Sequence, residues 1–88
     1  MKKTSLSEAQ PSGTDLPVEI VRRCLLDQAE TGMGYQTGDV VLRNGEVVRH
    51  VAFVDGRVAE VRGCSGIPFD ARDVVDIKLT HVRWSFRR

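Results

Sequence analysis

The sequence lacks long apolar runs and any large excess of charge. Its 88 residues contain no apolar run of about 18 residues, the length that a membrane-spanning helix needs. The N-terminal letters MKKTSLSEAQPSG lack the apolar centre of a secretory signal. The formal net charge is +1, so no overall field favours nucleic acid or an acidic partner. We therefore expect a cytoplasmic protein, and the length suits one domain.

Cysteine and histidine are scarce and widely spaced. The four soft ligands are Cys24, Cys64, His50 and His81, and no two of them stand as close as the pairs that mark zinc sites. Since the chain shows no export signal, we expect both thiols to be reduced, with a Cys24–Cys64 disulfide as the alternative.

The patterns of nucleophilic and phosphate-binding sites are also missing. Cys64 lies in the glycine-flanked stretch RGCSGIP, and a thiol enzyme would need the fold to bring a histidine to it. A domain of this length has little room to bury such a pocket. The glycines of TGMGYQTG are not followed by the Gly-Lys-Ser/Thr ending of a phosphate loop. The sequence therefore predicts no enzyme, no cofactor and no metal.

An amphipathic helix is the first element that the sequence does contain. Residues 1–14 are polar and predict a flexible tail, which leaves residues 15–88 as the folded domain. Residues 16–31, LPVEIVRRCLLDQAET, are predicted to be helical, with Pro17 in the first turn. Either Thr14 or Asp15 can cap this helix.

The helix is predicted to bury one side. Charge pairs at i, i+4 spacing, Glu19–Arg23 and Arg23–Asp27, are expected on its other side. The apolar stripe is predicted to consist of Val18, Ile20, Val21, Cys24, Leu25, Leu26 and Ala29.

Two tight turns organise residues 40–63, VVLRNGEVVRHVAFVDGRVAEVRG. Asn44-Gly45 and Asp55-Gly56 both suit two-residue type I′ turns, whose central residues need positive φ. The first turn would place Leu42 opposite Val47 and Val41 opposite Val48. The core face of the sheet is then expected to carry Val40, Leu42, Val47, Val51 and Phe53.

The second hairpin is expected to need an irregularity. Pairing Phe53 with Val58 places Glu60 beside Val51, which a bulge or a three-residue loop would repair.

A fourth strand follows from the alternation of Val75, Ile77 and Leu79 with polar residues. The alternation then changes phase, which predicts a kink near Thr80–His81 and a short fifth strand or extended tail. These elements predict an α+β fold. Its N-terminal helix would pack on a strongly twisted antiparallel β-meander of 4–5 strands, a small and partly open barrel-like sheet.

The C-terminal end is basic and aromatic. Two hypotheses explain this composition: the aromatic side chains complete a small core while the basic ones stay in water, or the segment binds single-stranded nucleic acid. Because basic and aromatic residues alternate here, one flat face cannot present both kinds. The residues of the nucleic-acid hypothesis are Lys78, Arg83, Trp84, Phe86, Arg87 and Arg88.

The segments YQTGDVVLRNG, VRG, IPFDARDVVDI and THVRW, within residues 35–84, resemble a set of small bacterial proteins of uncharacterised function. That resemblance implies no activity, cofactor or site residue. The N-terminal helix, the hairpin and the Arg62-Gly63 turn are more loosely similar to Sm-like barrels. About eighteen residues separate Gly45 from Gly63, fewer than the intervening strands of that family need, so its RNA-binding residues are not transferred.

We predict a non-catalytic interaction module whose partner cannot be read from the sequence, with a nucleic-acid-binding small β-barrel as the alternative. We also predict a homodimer, formed by pairing of sheet edges or by burial of Val82, Trp84 and Phe86 across a two-fold axis, because a core of this size gains from a partner.

Overall fold

A computed structural model describes residues 14–86 of the chain. The α+β class is confirmed, since a short helix precedes a four-stranded antiparallel sheet that does not close. Apart from Thr14, the predicted tail lies outside the described residues, as do Arg87 and Arg88. The helix, α1, joins an α-helical turn, Val18–Ile20, to a π-helical turn, Val21–Leu25. The strands are β1, Gln36–Leu42, β2, Val47–Val54, β3, Arg57–Val61, and β4, Val74–Leu79.

The strands lie in the order β3-β2-β1-β4, and each neighbouring pair is antiparallel. Hairpins join the first three strands. The chain then crosses back through residues 62–73 and places β4 beside β1. This is the Greek-key order, so the prediction of a continuous meander is wrong for the fourth strand. No fifth strand forms within residues 80–86.

The helix covers residues 18–25 rather than the predicted 16–31. It ends because Leu26 turns to an extended conformation, with ψ at 134°. A side chain from β1 then donates hydrogen bonds to the carbonyl groups that would have accepted from backbone N–H groups in a longer helix. The amide nitrogen of Gln36 lies 3.1–3.4 Å from the carbonyl oxygens of Leu25, Gln28 and Ala29.

The charged residues of the helix pair differently from the prediction. Arg22, not Arg23, contacts Glu19, at 3.2 Å. Arg23 reaches β4, where its guanidinium donates to the carbonyl oxygen of Val75 at 2.7 Å and lies 3.6 Å from Asp76. Both predicted i, i+4 pairs of Arg23 are therefore wrong, and this side chain instead ties α1 to the edge of the sheet.

The first hairpin has a three-residue loop instead of the predicted type I′ turn. Asn44 is not among the residues with positive φ, whereas Gly45 has φ of 93°. The N–H of Gly45 bonds to the carbonyl of Leu42, and the side chain of Asn44 accepts from the N–H of Glu46 at 2.9 Å. This is the type I turn with a glycine bulge, the other common solution for short hairpins.

The longer loop shifts the strand register by one residue. Val47 lies opposite Val41 and is 55% exposed, so the prediction that Val47 faces the core is wrong. Its neighbour Val48 packs against the core instead. A bulge at His50, which has φ of 59°, then returns Val51 to the core face.

The second hairpin is confirmed. Asp55 and Gly56 have φ of 51° and 75°, as a type I′ turn requires. Phe53 pairs with Val58, and a bulge next to Phe53 removes the mismatch predicted for Glu60. This turn determines where the start of α1 meets the sheet.

The buried residues join α1 to the sheet and to the 3-10 turn Ala71–Asp73 that precedes β4. In β4 the register shifts beside Leu42, so Val74 is buried and Val75 is 39% exposed, contrary to the predicted alternation. The apolar core consists of Leu16, Ile20, Leu25, Val40, Leu42, Val51, Phe53, Val58, Val61, Ala71, Val74 and Ile77.

Candidate functional site

A concave, mostly apolar surface lies beside the start of α1, and we call it the helix groove. Its volume is about 690 Å³. Its apolar lining comes from α1 and the residues that flank it, namely Leu16, Pro17, Val18, Val21 and Leu26. Its remaining lining residues are Asp15, Arg22, Asp55, Gly56, Arg57 and Arg72.

Local chemistry brings the two walls of the groove together. The N–H of Leu16 bonds to the carbonyl of Gly56, and Asp15 forms a β-bridge with Arg57. A Cβ atom on Gly56 would lie 3.4 Å from the side chain of Val21, so the tight turn packs directly against the helix. The type I′ turn therefore forms one wall and α1 the other.

The start of the helix differs from the prediction in its capping. Pro17 occupies the N-cap position with ψ of 143°, outside the first turn, and no side chain caps the helix. Asp15, a predicted cap, instead contacts Arg57 at 3.0 Å. Its carboxylate thus belongs to the rim of the groove.

Two apolar side chains stand exposed at the ends of the groove. Val18 is 68% exposed and Leu26 is 55% exposed, although both belong to the predicted apolar stripe. Ile20 and Leu25 of that stripe are buried. The predicted stripe contains more apolar residues than one helix face can bury. The apolar residues that stay exposed are the feature of the sequence that indicates the groove.

The arginines that line the groove are each paired with a carboxylate. Besides Asp15 with Arg57, Arg22 contacts Glu19 at 3.2 Å and Arg72 contacts Asp70 at 2.6 Å. Hydrogen bonds from the side chain and the backbone N–H of Arg72 lower the pKa of Asp70 to about 2. Each of the three arginines of the groove, Arg22, Arg57 and Arg72, therefore has a carboxylate neighbour.

The predicted nucleic-acid residues are only partly brought together. Lys78 lies on β4 opposite Asp39 and is exposed, as is Arg83. Trp84 and Phe86 are half-buried, with ring centroids 5.4 Å apart, and Phe86 meets Tyr35 edge-on at 4.9 Å. We call Tyr35, Trp84 and Phe86 the aromatic cluster.

The aromatic cluster is separate from the main core. Its three residues are not among the apolar core of residues 14–86 or the half-buried apolar side chains that pack on that core. The indole nitrogen of Trp84 is buried and has no hydrogen-bond partner among residues 14–86. These rings therefore pack on one another in a cluster of their own.

A hydroxyl network positions the segment that carries the aromatic cluster. The kink predicted near Thr80–His81 is confirmed by φ of 60° at His81. The hydroxyl of Thr37 donates to the carbonyl of Val82 at 2.7 Å, so it has no second hydrogen for the hydroxyl of Thr31, 3.3 Å away. The single hydroxyl hydrogen of Thr31 is then available either to Thr37 or to Nδ1 of His81, which lies 2.7 Å away.

The tautomer of His81 decides the direction of its bond with Thr31. The oxygen of Thr31 accepts from the N–H of Thr37 at 2.9 Å, and it also accepts from Nδ1 of His81 when its own hydrogen goes to Thr37. The network is complete when Nδ1 of His81 carries a hydrogen.

A shallow hollow where α1 crosses β4 brings a thiol near a carboxylate. Cys24, Asp76 and His81 all line it, and the thiol of Cys24 donates to Asp76 at 3.6 Å. The polar neighbour of the thiol is thus a carboxylate. Cys64 is exposed, and both cysteines are free thiols.

Two features are absent from residues 14–86. No three histidine, cysteine or acidic side chains of this part of the chain are arranged to hold a metal ion. No helix in it has the length and apolar content needed to cross a membrane.

The chain matches no protein-family model, no curated protein and no solved structure at a significant level. A functional role is therefore inferred from the chemistry of the surfaces described above.

Proposed function

We propose that this protein is a non-catalytic interaction module of the bacterial cytoplasm that binds another protein chain through the helix groove. The supporting observation is the exposure of Val18 and Leu26, at 68% and 55%, beside a concave apolar surface. Large apolar side chains held in water next to such a surface are typical of interaction sites.

The charges of the groove favour a protein over a polyanion. Arg22, Arg57 and Arg72 each contact a carboxylate at 2.6–3.2 Å. A phosphate chain would have to displace these carboxylates or lie against them. A protein surface can instead supply apolar side chains for the floor and charges of both signs for the rim.

Photo-crosslinking tests this proposal. A benzophenone amino acid is placed at Leu26 or, as a matched control, at Val47, which has the same 55% exposure but lies in the first hairpin. In cells that make the protein, irradiation should give a protein–protein adduct from position 26 and none from position 47. Equal adducts from both positions, or none from position 26, would overturn the proposal.

Nucleic-acid binding is a second candidate, and the position of the aromatic cluster favours it. The half-buried rings of Trp84 and Phe86 serve no role in the main core, and Arg83 is exposed next to them in sequence. Aromatic rings that lie outside the core are able to stack on bases, and each stacked base contributes about 1–3 kcal/mol to the binding free energy.

Titration with labelled single-stranded oligonucleotides at two salt concentrations tests this second candidate. Replacing Trp84 with Ala should weaken binding by the stacking energy, and Arg83→Ala should reduce the salt dependence, whereas the exposed control Arg49→Ala should change neither. If Arg83, Arg87 and Arg88 all neutralise phosphates, the log–log salt slope is roughly −2. Absence of binding at low salt removes this candidate.

A further inference from the structure

We infer that the occupant of the helix groove is a second copy of this chain, related by a two-fold axis that passes near Val21. The inference rests on the proposed function of the groove and adds the identity of the partner. Three features support it: the placement of the exposed apolar residues, the charge of the rim and the state of the sheet edges.

The exposed apolar residues stand at the two ends of α1. Val18 is its first residue and Leu26 directly follows its last. Val21, which lines the groove, lies between them. A two-fold axis there would place Val18 of each copy on Leu26 of the other, which is the reciprocal contact of an isologous dimer.

The charged rim is self-complementary. Arg22 would be close to the same residue of the second copy near such an axis, but each Arg22 carries Glu19 at 3.2 Å. Because each copy carries acids and bases in pairs, the base of one copy can face the acid of the other. A rim of one sign would repel its own copy, whereas this rim and the net charge of +1 do not.

The sheet edges are partly closed to another strand. On β3, residues 14–16 form the bridge between Asp15 and Arg57, and the N–H of Val58 bonds to the carbonyl of Thr14. On β4, the guanidinium of Arg23 donates a 2.7 Å hydrogen bond to the carbonyl oxygen of Val75, so this carbonyl already has a partner. These contacts oppose the edge-to-edge dimer expected from the sequence and leave the helix groove as the better surface.

Two substitutions that introduce opposite charges test the reciprocal contact between Val18 and Leu26. Sedimentation velocity should give the wild-type chain twice its monomer mass of 9.8 kDa at high concentration. Val18→Lys and Leu26→Glu should each weaken dimerisation at least about tenfold, as loss of a central apolar contact does. The matched control Val47→Glu should leave the mass unchanged.

Rescue makes the test specific. An equimolar mixture of Val18→Lys and Leu26→Glu should form a heterodimer, because the introduced lysine of one chain meets the introduced glutamate of the other while the second Val–Leu contact stays intact. Circular dichroism of each variant identifies one that fails to fold, in which case Val18→Ser and Leu26→Ser replace the charged pair in the weakening test.

The outcomes separate the inference from the proposed function. A wild-type chain that stays monomeric at all concentrations, or a dimer insensitive to both substitutions, overturns the second copy as occupant. If the photo-adduct from position 26 then contains a different protein, the proposed function stands without the inference. If that adduct is absent as well, both are overturned.

Discussion

The hydroxyl of Thr37 donates a 2.7 Å hydrogen bond to the backbone carbonyl of Val82, and this bond fixes the C-terminal segment to the sheet. Thr37 is completely buried. Its own carbonyl accepts from the N–H groups of Thr80 and His81. One residue of β1 therefore holds both sides of the kink and determines where the aromatic cluster lies.

Replacing Thr37 with Val should loosen this segment. The substitution keeps the size of the side chain but leaves the partners of the hydroxyl unpaired, which costs about 1–3 kcal/mol. Trp84 is the one tryptophan of the chain, so its fluorescence reports the segment directly. We expect a red-shifted emission and a lower urea midpoint for Thr37→Val. Thr37→Ser keeps the hydroxyl and should retain the wild-type emission, so a shift of the same size there would contradict this account.

The neutral ring of His81 should be the Nδ1–H tautomer. This tautomer lets all three side-chain bonds form together, with Thr37 donating to Val82, Thr31 to Thr37 and Nδ1 to Thr31. Long-range ¹H–¹⁵N correlation spectra of the neutral ring distinguish the two tautomers. Thr31→Val should abolish the preference, and a neutral ring with hydrogen on Nε2 in the wild type would refute the network.

Gly38→Ala should destabilise the sheet strongly. A Cβ atom at Gly38 would clash with the carbonyl oxygen of Lys78 and lie 2.8 Å from Cα of Leu79, so β1 and β4 would have to separate. Overpacking of this kind costs about 1–3 kcal/mol or more. Gly66→Ala is the matched control, because nothing lies within 4 Å of its Cβ position. Urea unfolding of the two variants should differ accordingly, and equal midpoints would contradict the close approach of the strands.

Asp70 should contribute an acid-dependent part of the stability. Its pKa of about 2 lies below its ordinary value of 3.8, because Arg72 donates hydrogen bonds to it. A lowered pKa in the folded state means that the stabilisation is fully present above pH 3.8 and is lost as the pH falls towards 2. Carbon-detected NMR titration should give this pKa, and Asp70→Asn should flatten the acid limb of the stability curve. A titration near the ordinary value would contradict the contact.

The two hairpins show what could be predicted from the sequence. Asp55-Gly56 forms the expected turn because both residues take positive φ and the register of Phe53 with Val58 agrees with it. Asn44-Gly45 has the same local chemistry but fits a second loop type equally well. The side chain of Asn44 stabilises that alternative by accepting from the N–H of Glu46.

The remaining differences arise from contacts between residues distant in sequence. The helix ends early because the side chain of Gln36 donates a hydrogen bond to the carbonyl of Leu25. These two residues are 11 positions apart in the sequence. The position of β4 depends on pairing with β1, which no local alternation specifies. The groove was predictable only as an excess of apolar residues on the helix, since its second wall is the turn at Gly56.

A dilution series of the full chain, followed by ¹H–¹³C methyl spectra, tests the central claim most directly. If copies meet at the helix groove, the methyl resonances of Val18, Val21 and Leu26 should shift with concentration, while those of Val47, equally exposed as Leu26, should not move. Shifts centred on Val82 and the aromatic cluster, or no shift over the whole range, would contradict the claim that this protein binds a second copy through the groove.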